Sequence, residues 1–344
     1  MGTIKSFTDT SAVSLAYALD DAADSTELTT TELTYLPFTQ EGFQLSKDSQ
    51  MSTAIRGDRR PSGSKNTKGT AAGSATLEFG ITPFVVDMLK AAMMSNWITH
   101  GTNANETFMV DGEIKQYMLV EKRVRNVVDG TLTNFFERYY GNLSNEVGIE
   151  IGGSSLVTMS VSTMAVFGDT TKAAADVEAD AGGMVTTYVT PEDYEIADAS
   201  NNIKKVTLFD ADGNILPVTF STVSLSITNN VREQEAVGSE FAGGMGMGKV
   251  NAQVSGTIYY YDDSILDAHL TNKYVKAEIV VETLQGEVTF TLPKAKAEAP
   301  NANAGGENQD YTQSLTLNGE AGEVEFDGIT YPCVLAIKKV VAAP

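Results

Sequence analysis

The chain has 344 residues, which at roughly 150 residues per domain argues for two domains. Its 42% apolar and 20% charged residues are the composition of a globular chain, not of disorder or collagen. Asp and Glu number 45 against 24 Lys and Arg, a net charge of −21; such a surface repels nucleic-acid phosphate and excludes a conventional DNA-binding domain, while a protein that lets DNA pass without sticking is allowed.

The first ten residues, MGTIKSFTDT, hold no apolar core of a secretory signal, and their fit to a myristoylation pattern is too short to carry weight. No stretch approaches the roughly 18 consecutive apolar residues of a membrane helix. The first 30 or so residues are acidic and poor in aromatics, which reads as an arm. A short strand at residues 43–45 then leads into a long polar loop and a second strand at residues 73–79 (GSATLEF). Residues 82–94 (TPFVVDMLKAAMM) predict a helix, with Thr82 as cap, Pro83 at the first helical position, and Phe84, Met88 and Leu89 at helical spacing. Alternating Val, Ile, Thr, Tyr and Phe predict strands at 116–125 (QYMLVEKRVR), 135–137, 147–151 and 156–164 (LVTMSVSTM).

Residues 169–200 hold eight acids and one lysine around DVEADAGGM, the composition of a linker or exposed segment. A hairpin is expected from 204–209 and 216–220 around the turn at 211–214. Strands follow at 223–228 (VSLSIT) and 254–261 (VSGTIYYY), separated by a glycine-rich loop, then a weaker helix at 262–270 with acids at its start. The remaining strands are 277–283, 287–292, 314–317 and 333–338, with a long loop at 295–308. The order strand, polar loop, glycine-led strand, helix and further strands thus occurs twice. It predicts a mainly β chain of two tandem sandwich or barrel domains, each with one packed helix. The boundaries are a first domain with its arm at 1–168, an acidic linker at 169–202 and a second domain at 203–344.

Few motifs carry chemistry. One cysteine, Cys333, excludes an intrachain disulfide, and with only His100 and His269 beside it there is no ordinary Cys/His zinc site. Neither histidine stands in the setting of a catalytic triad. GGMGMGK at 243–249 matches seven positions of a phosphate loop, but Val250 replaces the magnesium-binding hydroxyl and a strand follows instead of a helix. DADGN at 210–214 opens like a calcium loop, yet the twelfth position is Ser221 and the setting is a turn between strands. Acid pairs such as Asp262 and Asp263 are expected in so acidic a chain. No enzyme, cofactor or metal is indicated. Residues 56–68 (RGDRRPSGSKNTK) form the one sizeable basic cluster, with Arg56, Arg59, Arg60, Lys65 and Lys68. They are either a solvated loop or a contact loop for an acidic surface of another copy. The RGD tripeptide suggests integrin binding by pattern alone.

The run from 41 to 97, with its arginine-rich loop, its glycine-led strand at 73 and a helix ending near Trp97, resembles the major tail tube proteins of long-tailed, siphovirus-type bacteriophages. SITNN at 226–230, VGS at 237–239, Gly256, the tyrosine strand, the second helix and TFTLP at 289–293 extend the likeness over most of the chain. The resemblance implies a structural virion protein, made in the host cytoplasm and built into the tail. Such subunits form rings whose inner sheets join around a channel for the genome, and a long loop reaches the next ring. A duplicated chain would close as a trimer with pseudo-sixfold symmetry. Implied partners are further copies of the chain, tape-measure, tail-terminator and baseplate proteins, and transiently passing double-stranded DNA, with no membrane. Arg56, Arg59, Arg60, Lys65 and Lys68 are then candidates for the contact between rings. The competing readings are a fimbrial or surface-layer subunit and a β-rich binding module. Absence of a visible export signal weighs against the first and a single tryptophan against the second.

Overall fold

The computed structural model describes residues 12–20, 32–53, 60, 63–128, 131–174, 187–303 and 306–342. The chain is mainly β, with two α-helices among the described residues. Its organising element is the strand Thr131–Gly152. Its first part pairs with Tyr117–Val128 on one side and Phe167–Ala174 on the other. Its second part pairs instead with Thr158–Ala165 and, across the other edge, with Thr219–Thr228. One strand therefore belongs to two sheets. The sequence shows residues 135–137 and 147–151 as separate strands because the run between them, RYYGNLSNE, breaks the alternation.

The larger sheet runs through eight strands in an unbroken antiparallel order. From one edge to the other these are Gln44–Met51, Ser64–Glu78, Thr158–Ala165, Thr131–Gly152, Thr219–Thr228, Asn251–Tyr259, Thr312–Gly319 and the end of Gly286–Ala297. The first four come from the first half of the chain and the last four from the second. Gly286–Ala297 repeats the behaviour of Thr131–Gly152. Its start pairs with Val275–Thr283 and Ala336–Val341 before its end joins the larger sheet. A further strand precedes each half and caps it. Val13–Asp20 pairs with Tyr117–Val128, and Ile203–Phe209 pairs with Val275–Thr283. The two halves are also joined at the back, where Glu106–Val110 pairs with Ala336–Val341. One buried cluster takes residues from both halves, including Leu77, Leu89, Val147, Leu225, Phe290 and Ile337.

Helix α1 spans Pro83–Met93; Thr82 Oγ1 accepts from the Val85 amide at 3.3 Å and Pro83 stands at the first turn. Its buried residues include Phe84, Val85, Met88, Leu89 and Met93, as its apolar spacing requires. Helix α2, Ser264–Leu270, is shorter than the sequence suggests because no side chain caps Asp263.

Three expectations change. Val13–Asp20 is not an arm: Leu15, Ala16 and Tyr17 are buried, since a strand needs only a few alternating apolar residues to enter a sheet. The segment after residue 168 is more than a linker. Phe167–Ala174 is a strand, Thr187–Val189 runs parallel to Glu32–Leu36, and Ala197 is buried with its amide donating to Phe79 O at 2.8 Å. Its few apolar residues do the packing, and the acidic average conceals them. Nor do 204–209 and 216–220 form a ladder. Their contact stops at a Phe209–Ile215 bridge and one bond from Leu216 N to Leu208 O, because Pro217 has no N–H to continue it.

Two glycines mark a shared tight spot. A Cβ on Gly256 would lie 2.1 Å from Thr222 O, and one on Gly73 would lie 2.7 Å from Phe43 Cα. Both contacts are with the strand that leads into a long loop, and backbone cannot yield as a side-chain tip can. Gly256→Ala is expected to cost about 1–3 kcal/mol, read as a lower urea midpoint at unchanged m-value.

Candidate assembly and channel surfaces

The eight-stranded sheet has two unlike faces because successive side chains point to opposite sides. Val147, Ile149 and Ile151, with Val223, Leu225 and Ile227, point into the core. On the opposite face the paired positions form polar rows. One row crosses Thr76, Ser160, Gly148, Ser226, Gln253 and Asn318. The next crosses Glu78, Thr158, Glu150, Ser224, Ser255 and Thr316. A third runs through Ser74, Ser162, Glu146, Thr228 and Asn251. Neighbours in the rows bond to each other: Ser224 Oγ and Ser255 Oγ lie 2.9 Å apart, and Gln253 Nε2 donates to Asn318 Oδ1 at 2.8 Å. The ionisable residues of these three rows are Glu78, Glu146 and Glu150, with no lysine or arginine. This face is short-chained, hydroxyl-rich and negative. The alternation in LVTMSVSTM and VSLSIT already contained it, but the sequence could not align the rows across strands.

The loop end of the sheet carries the sequence-predicted basic residues. Arg56 and Arg59 lie outside the described residues, and Arg60 and Lys65 are exposed. Lys68 is engaged within the chain, with its Nζ 2.5 Å from Glu233 Oε2 and 2.9 Å from Glu235 Oε1. Those two carboxylates hold its ammonium above the ordinary lysine range. Lys47 pairs with Glu240, whose carbonyl also accepts from the Gly69 amide at 2.8 Å. The acidic second loop thus leans on the stem of the basic first one. These pairs are exposed, so they fix a direction of approach more than they stabilise.

The remaining motifs are occupied locally. Asp210 Oδ1 accepts from the Asp212 and Asn214 amides at 2.9 and 2.8 Å, which makes DADGN a self-bonded turn. Within GGMGMGK, Gly244–Gly246 is a short strand against Arg232–Gln234, and Met245 is buried. His100 Nε2 lies 3.3 Å from Asp327 Oδ1, and His269 Nδ1 lies 2.9 Å from Ala297 O. Cys333 is buried and its thiol is pushed up to about 12 by burial, with Asp111 adding to the shift, which leaves it an unreactive thiol. Among the described residues no group of three His, Cys, Asp or Glu side chains is placed to hold a metal ion. No described helix is long and apolar enough to cross a membrane.

No curated protein matches the chain. A family model described as phage tail tube protein matches residues 6–321. That match takes in both sets of four strands, both helices, the polar face and both loops. A structural role in a virion tail accounts for a sheet surface with hydroxyls and carboxylates but no assembled catalytic group. On this match the chain belongs to the phage tail tube protein family, whose members are structural components of the tail rather than an enzyme class.

Proposed function

We propose that this chain is the major tube subunit of a siphovirus-type tail and that its polar sheet face lines the channel for the genome. The observation that carries the reading is the three polar rows with Glu78, Glu146 and Glu150 and no basic residue. A wall of short hydroxyls and fixed carboxylates repels phosphate and offers no cation for counterion release, so DNA slides past it. The order of four strands in each half supports a duplicated tube domain, with the first copy ending near residue 168 and the second beginning near 203. Three such chains make a ring with six near-equivalent lobes, and rings stack into a tube. Tape-measure, terminator and baseplate proteins are its partners in the tail.

Between rings the basic loop makes the contact, through Arg56, Arg59, Arg60 and Lys65. Lys68 holds the base of that loop by its in-chain pairs with Glu233 and Glu235. Reversing Arg59 and Arg60 to Glu shortens tubes and lowers their yield while leaving the melting temperature of the subunit unchanged. Unchanged tube length and yield would remove the loop from the contact.

The channel assignment is tested on tubes of Glu146→Lys/Glu150→Lys. These retain linear double-stranded DNA on sedimentation at low salt and release it as salt rises, whereas unaltered tubes do not retain it. Equal retention by both tubes would place the channel on another face.

A further inference from the structure

The chain contains one seam between its halves and leaves the two edges of another seam open. In the closed seam, residues 146–152 pair with residues 222–228. Asn229, just past the second strand, bolts helix α1 to it: its Nδ2 donates to Ala92 O at 2.8 Å and to Ser144 O at 3.0 Å. Val231 is buried there in a cluster with Met94 and Leu143. The far end of the same sheet has the same parts and no neighbour. The strand Gly286–Ala297 continues along Thr312–Gly319 through Glu298, whose amide donates to Thr316 O at 2.9 Å, and Ala302–Asn303. Helix α2 lies beside it, with His269 Nδ1 2.9 Å from Ala297 O. Leu270 of α2 is 72% exposed, whereas the matching helix α1 is buried. At the opposite edge, Gln44–Met51 pairs only with Ser64–Glu78 among the described residues, although its counterpart Thr219–Thr228 is paired on both sides. Met51 at its loop end is 64% exposed.

We propose that the seam between residues 146–152 and 222–228 is the template for the contact between chains. The edge Gln44–Met51 of one copy adds to residues 297–303 of the next, and Met51 and the α2 face around Leu270 become covered as Val231 and α1 are within the chain. The two surfaces differ, so the contact is head-to-tail and each added copy presents a fresh edge until the ring closes. This rests on the ring reading given above and names the surfaces that make it.

The test uses the full chain with Ser46→Cys and Ala299→Cys, leaving the buried Cys333 in place, and a short bis-maleimide. Covalent multimers are read on denaturing gels, with rings counted by negative-stain electron microscopy in the same sample. The double variant is expected to give multimers up to the ring size, and each single variant only monomers. Rings without cross-links would overturn the edge assignment and leave the ring reading standing. Multimers from Ser46→Cys alone would show a symmetric contact and overturn the head-to-tail arrangement. Neither rings nor cross-links at the highest soluble concentration would overturn both. Independently, Leu270→Glu raises the concentration needed for ring formation by about tenfold with the melting temperature unchanged. Unchanged assembly would remove α2 from the contact.

Discussion

Replacing Glu121 by alanine lowers the stability of the chain by about 3–5 kcal/mol, the expected cost of leaving a buried charge without its partner. Glu121 and Arg138 are each 1% exposed, on neighbouring strands of the smaller sheet. Arg138 Nε donates to Glu121 Oε2 at 2.8 Å, and Tyr188 Oη donates to Glu121 Oε1 at 2.7 Å. The alanine variant removes the acceptor of both bonds and keeps the guanidinium in a site closed to water. Replacing both Glu121 and Arg138 by methionine is expected to cost less than Glu121→Ala alone, because no isolated charge remains. Chemical denaturation of the two variants checks this, and equal losses would mean that packing, not charge, dominates. The location matters for assembly. Thr187–Val189 carries Tyr188 from the acidic segment onto this sheet, so the buried pair helps to seat that segment.

Alkaline titration gives the second large effect. Burial, with Asp87 adding to it, raises the Tyr17 phenol above its ordinary value of 10.0. Burial raises Tyr139 above 10.0 as well, with the hydrogen bond to Glu137 adding to the shift. Both phenols donate to carboxylates, Tyr17 to Asp87 and Tyr139 to Glu137, each at 2.9 Å. The folded state therefore keeps protons that the unfolded chain releases near pH 10. Their contribution to stability is whole below that pH and is lost as pH rises from there toward the folded values. Two such groups steepen the loss by roughly 2–3 kcal/mol per pH unit. Tyr188, half-buried, adds a smaller share after solvent screening. Stability measured by urea denaturation from pH 8 to 12 is expected to be flat and then to fall steeply. Tyr139→Phe takes away about 1.4 kcal/mol per pH unit of that slope. A slope unchanged by Tyr139→Phe would show that this phenol does not drive the transition.

The sequence by itself determined the local elements and the family. Thr82, Pro83 and the spacing of Phe84, Met88 and Leu89 are short-range signals, and helix α1 forms where they place it. The alternation at 156–164 and 223–228 marked strands and which side chains share a face, since that information repeats every second residue. The likeness to tail tube proteins rested on the order of such elements, and the family match spans the same stretch.

Only the tertiary structure decided which strands are neighbours, because a strand's hydrogen-bond partners lie far along the chain and its side-chain pattern does not name them. It turned two predicted strands into Thr131–Gly152, which serves two sheets. It drew Val13–Asp20 from a supposed arm into a sheet, where three alternating apolar residues outweigh an acidic surrounding. It gave Lys68 its acidic partners on a loop about 165 residues away in the chain, a distance at which no spacing rule operates. It aligned Glu78, Glu146 and Glu150 on one face, and it left Gln44–Met51 and residues 297–303 as the two open edges of one sheet. The physical reason is the same in each case: alternation is written in the local chain, whereas pairing is settled by the free energy of the whole sheet.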